Sequence, residues 1–190
     1  METTRFETFF DAIIAIIITV LVLKIPQPAS PTLDAVISSQ TIYVAYFISF
    51  LILYNIWYSN HNLFQLIDNI DNATLLIYGV MTFIISLLPY FTIWVANNVF
   101  SIPAETMFGL IFITTHILHI IANHTILRSN PYSRIQDVER NIYNLPLIII
   151  IIGFILTYTI YVPGIYICCL LSVVLWILSG KIVRKNNNGN

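Results

Sequence analysis

The sequence predicts an all-α membrane protein, built as a bundle of six transmembrane helices. Its 190 residues are 58% hydrophobic and only 9% charged, whereas Asp, Glu, Lys and Arg make up about 25% of a typical soluble domain. So few charges cannot coat a water-facing surface. Its apolar runs reach the roughly 20 residues that a helix needs to cross a bilayer. They also lack the alternating polarity of membrane β-strands.

Six apolar segments, separated by turn-forming residues, are long enough to cross a bilayer as helices. Pro26 and Pro28 follow the first segment, and Pro163-Gly164 separates the last two. Pro89 falls inside the third segment and is expected to kink it. We predict one transmembrane domain over residues 1–185 and a disordered polar tail over 186–190. The predicted spans are 5–25, 39–64, 73–96, 104–127, 144–162 and 164–183.

The distribution of Lys and Arg predicts the orientation of the bundle. Short cytoplasmic loops carry an excess of basic residues, and a cytoplasmic N-terminus leaves only Lys24 on the outer side. Both termini are therefore expected in the cytoplasm. A cleaved signal peptide fits the first segment less well, because its start carries Glu2, Glu7 and Asp11 beside a single Arg. The basic residues placed inside are Arg5, Arg128, Arg134, Arg140, Lys181, Arg184 and Lys185.

Several function classes receive no support from the composition. A net charge of −1 does not give the basic face that a nucleic-acid binder needs. Cys168 and Cys169 are adjacent in an apolar segment, so they form neither a disulfide framework nor a spaced metal site. Phosphate-binding loops and nucleophile motifs are missing. We predict no enzyme activity, cofactor, metal site or nucleic-acid partner. Membrane lipid is expected to surround the protein.

The first predicted helix carries one continuous stripe. Successive residues of a helix advance by about 100°, and the stripe lies within about 60° of Ile16 on that count. Asp11 lies about 140° from Ile16 and so faces a neighbouring helix or interfacial water. An ionisable residue in a span, such as Asp11, suggests a function. The stripe itself is also explained by ordinary helix packing. The stripe contains Arg5, Phe9, Ala12, Ile16, Thr19, Val20 and Leu23.

Three stretches carry a family resemblance. The run Arg5-Phe6-Glu7-Thr8-Phe9-Phe10-Asp11 resembles the signature Arg-x-x-x-Phe-Ser-Asp of the transmembrane protein 175 family of endolysosomal potassium channels, in its short prokaryotic form. Trp57 with His61, and the run from Ser86 to Thr92, resemble two further family motifs. Phe10 replaces the Ser of the signature, and Asn60 stands where the family often has His.

The resemblance implies a potassium-permeable cation channel in a prokaryotic plasma membrane. It implies a homotetramer in which four copies of helix 1 line a central pore. Ile16 would form the narrow constriction and gate, Val20 and Leu23 would lie one and two turns further out, and Thr19 would contribute selectivity. The carbonyl filter of ordinary potassium channels is excluded, because no Thr-Val-Gly-Tyr-Gly run occurs.

The resemblance also implies a structural network that joins helices 1 and 2. Its expected members are Arg5, Phe9, Asp11, Trp57 and His61. Charge-assisted hydrogen bonds within it would hold helix 1 in register.

Two other functions stay open. A secondary transporter or proton carrier would use Asp11 with His116 and His119, which share one face of helix 4 with Asn123. Those histidines supply half a metal site at most, and we expect them to form interhelical hydrogen bonds instead. A non-transporting membrane scaffold would use the stripe only for packing.

Overall fold

A computed structural model describes residues 1–65, 67, 69–130 and 144–187 of the chain, and these residues form eight α-helices. The prediction of an all-α fold is confirmed for this part of the chain. Asp68, Arg134, Arg140 and the end of the predicted tail, 188–190, lie outside the described residues. The helices are α1 (Thr3–Leu23), α2 (Leu33–Ser38), α3 (Gln40–Phe64), α4 (Asn72–Ser86), α5 (Leu88–Asn97), α6 (Ile102–Ser129), α7 (Asn144–Thr159) and α8 (Gly164–Asn187).

Four helical segments of the described chain are long and apolar enough to cross a membrane. They are Thr3–Leu23, Gln40–Phe64, Asn72–Asn97 and Ile102–Ile126, and the shorter apolar helices Leu145–Thr159 and Gly164–Leu175 follow them. The protein is therefore an integral membrane protein. The full count of six spans stays a prediction. The last helix, α8, extends to Asn187 and takes in the first two residues of the predicted tail.

The third predicted span is divided at Leu87 into α4 and α5. Pro89 occupies the first turn of α5, where its missing N–H has no helical partner to lose. The backbone N–H of Leu87 donates to the Ile84 carbonyl at 3.2 Å, and the N–H of Tyr90 donates to the Leu87 carbonyl at 3.1 Å. Both bonds join residues that are three apart, so the backbone is wound more tightly here than in an α-helix. This boundary lies at the position where Pro89 is expected to kink the span.

Side-chain caps explain two helix starts. The hydroxyl of Thr32 accepts a hydrogen bond from the Ala35 N–H at 3.3 Å and begins α2, a short helix that the apolar pattern did not reveal. Asp71 Oδ1 accepts from the Thr74 N–H at 3.2 Å and begins α4. Hydrogen bonding from Thr74 lowers the pKa of the Asp71 carboxyl.

The buried face of α1 packs against α3, α4 and α5. An aromatic cluster of four rings, formed by Phe6, Phe10, Phe64 and Tyr78, lies at its N-terminal end. Phe10 is buried, and its ring centroid lies 5.6 Å from that of Tyr78 in an edge-on contact. Phe10, which stands where the family signature has Ser, therefore contributes a ring to this cluster. The ring adds apolar contact between α1 and α4.

Two groups of buried polar side chains join helices of the bundle. The Tyr78 hydroxyl donates to Asn60 Oδ1, while Asn60 Nδ2 donates to the Ile56 carbonyl at 2.7 Å. Ser49 and Thr92 share a buried hydroxyl contact of 2.7 Å between α3 and α5. Such bonds join transmembrane helices because lipid tails offer no alternative partner. Asn60 thus links α3 to α4.

We expect Tyr78→Phe to destabilise the fold. The change leaves the buried Asn60 carbonyl oxygen without this donor, at a cost of about 1 kcal/mol, or roughly 2–4 °C in Tm for a chain of this size. The measurement is thermal unfolding in detergent. Tyr90→Phe removes the same atom from a side chain that is 65% exposed and serves as the control. Equal Tm values for the two variants would contradict the structural role of the Tyr78 hydroxyl.

Candidate pore helix

One face of α1 has no neighbour within the described chain. Ile16 is 61% exposed, Leu23 is 80% exposed and Phe9 is 60% exposed. Val20 and Thr19 are also exposed. This exposed stripe lies opposite the buried face of α1 and follows the set of residues that the helical periodicity grouped together.

Thr19 is the hydroxyl that lies nearest to Ile16 along the exposed stripe. Its Oγ1 donates to the Ile16 carbonyl at 2.7 Å. A hydroxyl has one hydrogen and two lone pairs, so this bond uses the hydrogen and leaves oxygen lone pairs for another group. Thr19 can therefore act as an oxygen ligand beside the apolar Ile16.

Asp11 lies away from the exposed stripe and contacts α3. The indole Nε1 of Trp57 donates to Asp11 Oδ1 at 3.0 Å. Ile14 of α1 and Ile48 of α3 belong to one apolar core, and this bond adds a directional contact between the two helices. A carboxylate within an apolar helix needs such a donor.

A second polar contact joins the same two helices. Glu7 Oε1 lies 2.7 Å from Nδ1 of His61, and the other ring nitrogen of His61 lies 2.8 Å from Gln65 Nε2. Glu7 is not among the network residues predicted from the sequence. A usable signal was its spacing, because Glu7 and Asp11 are four residues apart and so share one face of α1.

The predicted network is only partly brought together. Trp57 meets Asp11, and the ring of His61 stacks on that of Trp57 with centroids 5.4 Å apart. Arg5 and Phe9 lie on the exposed stripe instead, and Arg5 has no ion-pair partner in the part of the chain that the structure describes. The functional roles of all five residues stay predictions.

The α6 histidines are largely buried among helices. His119 Nε2 lies 3.5 Å from the Ser59 hydroxyl of α3, and the His116 ring stacks on Phe112 at 4.9 Å. Within the described ranges, no three His, Cys, Asp or Glu side chains converge as a metal site would require. The His119 contact is of the interhelical kind expected from the sequence, whereas the His116 ring contact lies within α6.

Glu105 is a fully buried carboxyl near the start of α6. Its Oε2 accepts from the backbone N–H of Tyr166 at 2.9 Å, while the Thr157 hydroxyl accepts from the Ile165 N–H at 2.9 Å. Side chains from α6 and α7 thus satisfy two free N–H groups at the start of α8. Glu105 joins the N-terminal ends of α6 and α8 and takes no part in the exposed stripe.

Sequence comparison finds similarity to proteins described as potassium channels. The family model described as endosomal/lysosomal potassium channel TMEM175 matches residues 5–89. A potassium channel of Chryseobacterium sp. (strain P1-3) is 28% identical over 128 residues, which are 67% of each chain. A potassium channel of Chamaesiphon minutus (strain ATCC 27169 / PCC 6605) is 30% identical over 102 residues, and this chain spans 50% of its length.

A solved structure shares the fold. The crystal structure of a lysosomal potassium-selective channel TMEM175 homolog from Chamaesiphon minutus superimposes with a TM-score of 0.79. The match covers 93% of this chain and 97% of that one, at 22% sequence identity. The helical arrangement is therefore common to both proteins.

We expect Trp57→Phe to weaken the contact between α1 and α3. The change keeps an aromatic ring but removes the N–H that Asp11 accepts, at a cost of about 1–2 kcal/mol. Thermal unfolding in detergent measures this loss. Trp94→Phe is the matched control, because no hydrogen bond from Trp94 to a carboxylate occurs among the described residues. If both variants unfold at the same temperature, the Asp11 bond does not stabilise the helix pair.

Proposed function

Because this chain belongs to the TMEM175 family of potassium channels, we propose that it is a potassium-permeable cation channel with a pore lined by α1. The exposed stripe of α1 carries the proposal. This long helix buries one face on α3, α4 and α5 and leaves the other without a neighbour among the described residues. Four copies of the chain around a common axis would cover that face and enclose a path between the stripes.

The exposed stripe suits a pore wall better than a lipid-facing surface. It begins at Arg5 and includes Thr19, and a polar group that faces lipid tails is costly. Asp11 lies on another side of α1, bonded to Trp57. The wall therefore combines apolar side chains with one internal hydroxyl, and the acidic groups of this helix stay outside it.

Ile16 is proposed as the narrow constriction of the pore. An ion within a tight apolar ring loses its water without gaining replacement ligands, so a narrow Ile16 ring is closed to ions. Conduction then requires the ring to widen or rotate, which makes Ile16 both gate and filter. Val20 and Leu23 continue the apolar wall outward. Thr19, one turn from the constriction, supplies the oxygen that gives a modest preference for potassium.

We further propose a homotetramer in a prokaryotic plasma membrane, with both termini in the cytoplasm. On this arrangement α7 and α8 are the fifth and sixth membrane spans. Potassium is the cargo, and the channel uses no resident cofactor, metal or nucleic acid. Its partners are further copies of the same chain and membrane lipid.

We expect Ile16→Asn to raise ion flux. A polar ring hydrates the constriction and lowers the desolvation barrier, and a decrease of about 1.4 kcal/mol would raise the flux tenfold. The measurement is potassium efflux from liposomes that contain the purified protein. Val22→Asn is the control, because Val22 is 45% exposed on the same helix but lies about 120° from Ile16.

The result separates the proposed channel from its rivals. Unchanged flux in Ile16→Asn would remove the gate assignment, and a wild-type protein without ion flux would favour the membrane scaffold. Saturable flux that depends on Asp11 and not on Ile16 would favour the transporter.

We expect Thr19→Ala to reduce the preference for potassium over sodium. The substitution removes the oxygen next to the constriction and leaves a wholly apolar neck. Reversal potentials in mixed potassium and sodium solutions give the permeability ratio. Thr19→Ser retains the hydroxyl and should keep the wild-type ratio. Identical ratios in the Ala variant and the wild type would exclude Thr19 from selectivity.

A further inference from the structure

Two polar contacts between α1 and α3 lie one helical turn apart. Asp11 accepts from Trp57 at 3.0 Å, and Glu7 lies 2.7 Å from Nδ1 of His61. Glu7 and Asp11 are four residues apart on one helix, as Trp57 and His61 are on the other, so each pair shares a face. The contacts form a ladder of two rungs, which are about 6 Å apart along the helix axis.

The two contacts of the ladder are linked because the Trp57 and His61 rings stack on each other. The Trp57 and His61 rings stack with centroids 5.4 Å apart and an angle of 13° between their planes. A carboxylate only accepts hydrogen bonds and an amide nitrogen only donates them. With Gln65 Nε2 at 2.8 Å from its Nε2, His61 therefore presents Nδ1–H to Glu7. The His61 ring is held at both nitrogens and on one face.

We infer that Glu7 is a positioning residue of the pore helix. It holds the His61 ring against Trp57 and thereby keeps the Trp57 indole on Asp11. The inference rests on the proposed role of α1 as the pore wall. With a single contact to α3, α1 could pivot. The Glu7–His61 and Asp11–Trp57 contacts, one turn apart, fix both the rotation of α1 and its shift along the helix axis.

The ladder determines the direction in which the constriction points. Glu7 lies about 180° from Ile16 around the helix, so the side of α1 that is fixed to α3 is opposite the exposed stripe. A rotation of α1 that moved Ile16 away from the pore axis would have to break the Glu7–His61 contact or the Asp11–Trp57 contact. Glu7 thus acts on the pore through the orientation of the helix, without contact to an ion.

The test compares the open fraction of single channels in planar bilayers that contain the full-length protein. The side chains of His61 and Glu7 are 35% and 20% exposed, so water screens the pair and its loss should change the open fraction by about fivefold. We expect an increase of this size in Glu7→Ala, because the lost contact no longer opposes the rotation that moves Ile16 away from the pore axis. The unitary conductance and the ion permeability ratio should stay unchanged. Asp34→Asn, which removes an exposed acid from α2, is the control and should match the wild type.

A conservative variant distinguishes positioning from a general loss of structure. Glu7→Gln keeps a side-chain oxygen that can accept from Nδ1–H of His61 and leaves the His61 ring on Trp57, so it should hold the open fraction within about twofold of the wild type. The inference is overturned if Glu7→Ala behaves as Asp34→Asn does. It is equally overturned if Glu7→Gln changes the open fraction as much as Glu7→Ala does.

A second measurement does not depend on conduction. Glu7→Ala, Trp57→Phe and their combination form a double-mutant cycle for thermal unfolding in detergent. Because loss of Glu7 already loosens Trp57, the combined loss should be smaller than the sum of the single losses. Additive losses would overturn the ladder even in a conducting protein. A non-conducting wild type would end the proposed function, while the cycle would still decide the role of Glu7.

Discussion

The bond between Asp11 and Trp57 constrains the rest of this structure. Inside a membrane a carboxylate has little water to bind, so it must meet a donor from its own protein. The indole nitrogen on α3 meets this need at 3.0 Å. Once Asp11 faces α3, the helical geometry of α1 leaves Ile16 on an uncovered side. The free-energy cost of leaving one carboxylate without a donor thus determines which face of α1 stays uncovered.

Aromatic packing on the buried face of α1 supports the same orientation. Phe10 and Tyr78 meet edge to face near the N-terminal end of the helix, and Asn60 accepts from the Tyr78 hydroxyl. The large rings fill the space between α1, α3 and α4, and the amide satisfies the one polar atom of Tyr78. Polar bonds and ring contacts therefore agree on one rotation of α1, which is how a membrane helix acquires a unique position without a hydrophobic driving force.

The sequence predicts the apolar spans well because length and hydrophobicity are properties of the chain itself. It also predicts the exposed stripe, since a helix of known period assigns Ile16 and Asp11 to different sides before any neighbour is known. The partners of these side chains depend on the packing of distant segments. For that reason the Glu7–His61 contact and the Asn60–Tyr78 bond emerged only from the structure. The short helix α2 was missed because its start depends on the Thr32 cap and not on an apolar pattern.

The division of polar and apolar groups on α1 has a consequence for the proposed channel. The acidic groups Glu7 and Asp11 are bound to α3, so the proposed pore wall gives a cation few fixed charges that offset its loss of water. The barrier in the neck then depends chiefly on the width of the Ile16 ring, because a small widening admits water and water is the strongest available ligand. Width depends on the rotation of α1, and the contacts with α3 fix that rotation. Gating and permeation would therefore be governed by the same helix–helix contacts, although these lie on the side of α1 that faces away from the ion.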